Sequence, residues 1–150
     1  MGRLRLECLT VAGVAAVVLM RPDGAALLQH RDDKPGINHP GMWVPPGGHC
    51  EPGEAAEECA RREFFEETGY RLDRLQFLTR FLDSHEGVIT SSWITVFWAI
   101  DDGVQQPVCG EGQALSFVAR PSAAMLHVPP YLIDVWDQAI AAMKAAEDRP

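Results

Sequence analysis

Cationic side chains are scarce in this chain. Its 13 Lys and Arg stand against 21 Asp and Glu, a formal net charge of −8 over 150 residues. That balance, with no basic stripe, argues against a long nucleic-acid partner, whose affinity comes largely from neutralised phosphates. A small polyphosphate is not excluded, because metal ions can carry the positive charge locally. Long apolar runs are also missing. The stretch from Val11 to Met20 is ten residues, where a bilayer needs about 20. Arg3 and Arg5 precede it, but Glu7 interrupts the approach, no A-x-A-like cleavage site follows, and Arg21-Pro22-Asp23-Gly24 reads as a turn. The run is expected to be a buried central strand rather than a signal or a membrane span. Cys8, Cys50, Cys59 and Cys109 form no C-x-x-C pair and no zinc spacing with His. Four reduced thiols in a cytoplasmic protein are the expectation. There is no internal repeat, no low-complexity tract and no linker, so residues 1–150 are expected to form a single domain.

What is present alternates between strands and helices. Pro22-Asp23-Gly24 turns the Val11–Met20 run into Ala25–His30, as in a hairpin. Residues 32–40 (DDKPGINHP) are rich in turn formers, and Met42–Pro45 is a short extended piece ending at Pro46-Gly47-Gly48. A helix is expected from about Glu54 to Thr68, stopped by Gly69. Further strands are expected at Leu75–Leu82, Ser91–Ile100 and Leu115–Val118. A last helix runs from near Pro130 to about Ala146, with Ile133, Trp136, Ile140 and Met143 at helical spacing as core contacts.

The first helix carries the informative pattern. Glu63, Glu66 and Glu67 fall at i, i+3 and i+4, so three carboxylates share one face. Such a cluster needs a counter-charge, and magnesium is held by a few carboxylates plus waters and substrate phosphates. Ala56, Ala60 and Phe64 form the adjoining apolar stripe. Cys59 lies one turn before Glu63, but a thiolate is a soft partner for a hard cation, so it reads as packing. Gly47 and Gly48 leave room for backbone to approach a phosphate or metal. Arg62 can pair with Glu58 or Glu66 and orient the acids.

Residues 48–70, GHCEPGEAAEECARREFFEETGY, resemble the Nudix box, G-x5-E-x7-R-E-U-x-E-E-x-G-U with U a large apolar residue. Gly48, Glu54, Arg62, Glu63, Glu66, Glu67 and Gly69 occupy its fixed positions, with Phe64 and Tyr70 in apolar slots. The resemblance implies an α/β fold, a Nudix-type α/β/α sandwich with a mixed β-sheet. It also implies that Glu63, Glu66 and Glu67 hold magnesium or manganese, with the Gly47 carbonyl as a further ligand. The implied reaction is attack of water on a phosphorus of a nucleoside diphosphate linked to another group. Family members draw the general base from the box or from a later loop. Here the loop candidate is Glu111, which would also reach the metal, with His85 and Glu86 as weaker alternatives.

Substrate signatures outside the box are mostly absent. No proline lies between Tyr70 and Pro107, as ADP-ribose hydrolases would have, and the tyrosine typical of dinucleoside polyphosphate hydrolases is replaced around Glu86-Gly87-Val88. No coenzyme A-type signature precedes the box. Glu111-Gly112-Gln113 and Val128-Pro129-Pro130-Tyr131 resemble the nucleoside triphosphate hydrolases related to the sanitiser of oxidised guanine nucleotides. Where that group places a base-reading asparagine, this chain has Tyr131 and Leu132, and leucine makes no such hydrogen bonds. Tyr131 can stack on a base or pack the helix start; Trp43 can line the pocket or plug the core. The expected partner is a small-molecule nucleotide, with no long nucleic acid and no membrane, and the resemblance leaves room for a homodimer. The rivals are a nucleotide-sugar or other nucleoside-diphosphate hydrolase and a catalytically idle nucleotide sensor.

Overall fold

The computed structural model describes residues 13–84 and 91–149. Among these residues, seven strands and two α-helices are ordered β1 (Val14–Met20), β2 (Ala26–His30), β3 (Trp43–Val44), β4 (Gly47–His49), α1 (Ala56–Thr68), β5 (Gln76–Asp83), β6 (Ser92–Ile100), β7 (Ala114–Val118) and α2 (Leu132–Glu147). A six-residue 3-10 helix, Arg120–Met125, precedes α2. Among the described residues, no helix is long and apolar enough to cross a membrane.

The sheet is mixed, in the order β3-β2-β1-β6-β5, with β4 joined to β1 and β7 to β2. β1 lies at its centre. It runs parallel to β6 from Val14 opposite Ile94 to Met20 opposite Ile100, and antiparallel to β2 and β4. Its near-continuous apolar sequence follows from cover on both faces. Alternation sends Val18 and Met20 to one face, with Trp136 and Met143 of α2. Ala15, Val17 and Leu19 go to the other, against Ala60 and Phe64 of α1. This is the helix–sheet–helix sandwich expected. The buried indole of Trp136 donates to the Gly24 carbonyl at 2.9 Å, so its one polar atom is satisfied.

Two expectations are corrected. Gly47 and Gly48, expected to end an extended piece and to leave room for a phosphate or metal, instead form strand β4, with Ala16 opposite Gly47 and Ala15 opposite Gly48, and Val17 N–H donates to Pro46 O at 3.0 Å. A Cβ on Gly47 would come within 2.6 Å of the Ala16 Cα. The glycine therefore admits β1 before it admits any ligand. The second correction concerns sulfur. Cys50 and Cys59 are joined by a disulfide, with Cα atoms 5.2 Å apart, where reduced thiols were expected. The sequence separation of nine hid the pairing; β4 and α1 pack side by side and bring the two together. Cys109 is a free, exposed thiol, and Cys8 lies outside the described residues.

Candidate active site

A cavity of about 470 Å³ opens between the start of β1, β4, the acidic face of α1 and the loops after β2 and β6. Gly47, Gly48, Glu63, Glu67, Glu111 and Tyr131 line it. Glu66 and Arg62 stay outside the lining, and so does Trp43. Trp43 stacks flat on His30, ring centroids 4.7 Å apart, and packs against the α2-side core. Of the two readings for that residue, the structure places it as a core contact. His85 and Glu86 lie outside the described residues.

Arg62 is the residue that arranges the acids. Its Nε and Nη2 donate to the two oxygens of Glu54, each at 2.8 Å, while Nη1 donates to Glu63 at 2.7 Å and Glu66 at 3.4 Å. Glu66 was an expected partner. Glu58 is not one: it turns back to accept from the Ala55 N–H at the helix start, the usual use of an acid three residues past an N-cap. The planar fork of arginine suits two-point pairing with a carboxylate. Glu54 is correspondingly held down to about 2, chiefly by its hydrogen bond from Arg62.

Glu67 sits deepest, with 5% of its surface exposed. It accepts from the Gly47 N–H at 2.9 Å. Burial pushes its carboxyl up to about 8, and the nearby Glu111 and Glu63 push the same way, against the Gly47 hydrogen bond. Glu63 lies against Gly48, where any Cβ would land on the Glu63 carboxyl. The glycines of the box thus make room for β1 and for a glutamate.

Glu111 reaches this group from 44 positions beyond Glu67 in the chain. Its loop hangs on the C-terminal end of α1, through Gly110 N–H to Glu67 O and Val108 N–H to Thr68 O, both at 2.8 Å. A Cβ on Gly110 would approach the Glu66 carbonyl at 2.6 Å, so glycine permits the docking. The Gln29 side chain holds the Glu111 carbonyl from β2 at 3.1 Å.

Sequence reasoning missed Arg31, His39 and Asp83, all of which line the cavity. Arg31 Nε is buried with no hydrogen-bond partner among the described residues. His39 and Asp83 are both buried, and Nε2 meets Oδ2 at 2.7 Å. His39 is the one non-glycine residue with positive φ, at 54°, among the described residues. Tyr131 lies edge-on to His39, centroids 5.9 Å apart, and burial pushes its hydroxyl up. Leu132, at the position discussed for base reading, is fully buried in the core. An arginine at the end of a buried strand was the available signal for Arg31; nothing local marks the His39–Asp83 pair.

The donors facing the cavity are carboxylate oxygens, one of them in a place that disfavours its own charge. That chemistry fits a hard divalent cation, which would offset both the burial and the mutual repulsion. Among the described residues, the group of three ligand-type side chains with atoms within 4.8 Å of one another is Cys50, Glu54 and Cys59. The cavity acids are therefore not a closed cage. Magnesium needs none, since it keeps waters and takes substrate oxygens.

The curated relatives match less than half of this chain. An mRNA-cap hydrolase of Bos taurus, m7GpppN-mRNA hydrolase NUDT17, is 44% identical over 62 residues, 41% of this chain and 20% of its own. The nucleoside triphosphatase NudI of Escherichia coli is 48% identical over 54 residues, 36% of this chain and 38% of its own. The matched stretch thus spans well under half the length of these curated relatives. Among solved structures, a MutT studied from Aliivibrio salmonicida and Vibrio cholerae superposes with a TM-score of 0.69 at 26% identity, covering 87% of this chain and 98% of that one. The NUDIX domain family profile matches residues 10–131. With the box in place on α1 and the match running through most of its length, the chain belongs to the NUDIX family.

Proposed function

We propose that the protein is a divalent-cation-dependent pyrophosphohydrolase that cleaves a nucleoside triphosphate to the monophosphate and pyrophosphate. The observation that carries this reading is the two-signed lining of one cavity: Glu63, Glu67 and Glu111 together with Arg31, whose Nε is buried with no hydrogen-bond partner among the described residues. An acidic cluster alone would repel a polyphosphate, and an arginine alone would not hold a cation. Together they suit a phosphate chain bridged to metal. The similarity to NudI and MutT supports the triphosphate over other nucleoside-diphosphate derivatives.

Glu63, Glu66, Glu67 and Glu111 would hold magnesium or manganese, with the Gly47 carbonyl as a further donor. When bound, the cation neutralises charge on the diphosphate bridge and makes a ligated water more acidic. The chain's own part is alignment. Arg62 fixes Glu63 through the Glu54 pair, the Gly47 N–H fixes Glu67, and Arg31 donates to phosphate oxygens. Tyr131 and the His39–Asp83 pair contact the nucleoside end. Glu111, on a loop rather than in the helix, accepts the proton from the attacking water. Glu111→Gln should therefore lower kcat by about a hundredfold with KM changed little; an unchanged kcat would move that role to a box glutamate.

A nucleoside diphosphate joined to another group is the second reading, favoured by the similarity to the cap hydrolase. Incubation with magnesium and a panel of nucleoside triphosphates, nucleotide sugars and a cap dinucleotide, with products resolved by chromatography, separates the two. Pyrophosphate from a triphosphate is the expected product. Turnover confined to the other classes, or insensitivity to EDTA, would overturn the proposal.

A further inference from the structure

A second cluster lies beside the cavity, at the start of α1. Cys50 follows β4 directly, Cys59 lies in the first turns of α1, and Glu54 stands in the loop between them. One ligand-type atom from each falls within 4.8 Å of the other two. Cys59 is fully buried and the Glu54 side chain is 14% exposed. This group shares no residue with the cavity lining.

We propose that in the reduced chain Cys50, Cys59 and Glu54 form a site for a thiophilic divalent cation, zinc, and that its occupancy disarms the acidic helix through Arg62. Two thiolates select zinc over magnesium, so the site is chemically distinct from the carboxylates that face the cavity. Three protein ligands with a water in the fourth position is a common zinc arrangement. The Cα atoms lie 5.2 Å apart, so both sulfurs stay close together when the disulfide is reduced. As the cation binds, both thiol protons leave to solvent. The disulfide form has neither thiolate, so it is closed to zinc.

The consequence for the neighbouring acids follows from one carboxylate having two claimants. Both oxygens of Glu54 are taken by Arg62, whose third nitrogen positions Glu63. A cation that shares Glu54 draws the carboxylate's charge away from the Arg62 fork and weakens those bonds, so the geometry that the fork imposes on Glu63 loosens. This regulatory half rests on the hydrolase reading; the site itself does not.

Cobalt(II) is the probe, added to the 150-residue chain reduced with a phosphine, in excess magnesium. One cobalt per chain with a near-ultraviolet thiolate-to-cobalt band, bleached by zinc, is expected. Cys50→Ala and the isosteric Cys50→Ser should lose the band, while Cys8→Ala and Cys109→Ala keep it, and the unreduced chain should show none. Under the same conditions zinc should lower hydrolysis by about tenfold, an ordinary size for coupling between sites, in the reduced wild type and not in the Cys50 variants. No band, or a band that survives both Cys50 substitutions, overturns the site. Equal inhibition of wild type and Cys50 variants overturns the link to the acids. Because the band is read without substrate, its failure is distinguishable from a failure of the proposed hydrolysis.

Discussion

Glu67→Gln is expected to reduce hydrolysis by about a hundredfold or more and, in the same variant, to stabilise the metal-free protein above neutral pH. The two effects share one cause. Glu67 is a buried carboxyl that burial and the charges of Glu111 and Glu63 push up to about 8. A group whose folded value exceeds its unfolded one contributes stability that is complete below the unfolded value and is lost as pH rises through the folded one. For Glu67 the window runs from the ordinary 4.5 to about 8. Metal-free wild type should therefore lose stability across that range, whereas a neutral glutamine amide is indifferent to it. Glutamine can still accept the Gly47 N–H and can donate to Glu111. At pH 8.5 with EDTA the variant should melt higher, by roughly 3–6 °C for a chain of this size. Magnesium should close the gap by stabilising wild type selectively. Differential scanning calorimetry with and without magnesium checks the stability half, and a pyrophosphate-release assay the other. A variant that melts lower at pH 8.5 without metal removes the burial argument; near-normal turnover removes the acid from the mechanism.

The two glycines of β4 should fail in opposite ways when each is replaced by alanine. At Gly47 the new methyl meets the Ala15 carbonyl, the Ala16 Cα and the Ala16 Cβ, none of which can rotate away. Backbone in the central strand cannot step aside, so β4 must separate from β1. Gly47→Ala should cost about 3 kcal/mol or more, at the upper end for overpacking, measured by urea unfolding. At Gly48 the methyl meets the end of the Glu63 side chain, which can rotate away. It does so by leaving Arg62 Nη1. Gly48→Ala should therefore keep its urea midpoint within about 1 kcal/mol of wild type and still lose at least about tenfold in kcat. If Gly48→Ala unfolds while Gly47→Ala stays active, the assignment of one glycine to the strand and one to the carboxylate is reversed.

The spacing of Glu63, Glu66 and Glu67 on α1, the stop at Gly69 and the buried run ending at Met20 were legible because each rests on local periodicity. A helix repeats every 3.6 residues and a strand every two, so residues a few positions apart declare their shared face. The same locality limited the reading of Arg62. Glu58 and Glu66 are its helical neighbours, but Glu54 lies in the preceding loop, and only the path of that loop decides that it takes both ends of the guanidinium fork. Gly47 and Gly48 were recognised as close approaches; which neighbour approaches was not, because β1 is distant in sequence.

By itself the sequence determined an acidic helix behind a glycine pair, the two-sided burial of the run that ends at Met20, and a family resemblance carried by 23 contiguous residues. Tertiary structure alone decided that Glu111 joins Glu67 through the docking of Gly110 on the end of α1, and that Arg31 lines the same cavity as the acids. It also turned Trp43 onto His30 and drew Cys50 to Cys59. The division has one physical reason. Periodicity encodes which side of an element is buried, whereas the meeting of side chains from different elements depends on how strands pair and loops return, and those contacts leave no repeat in the chain.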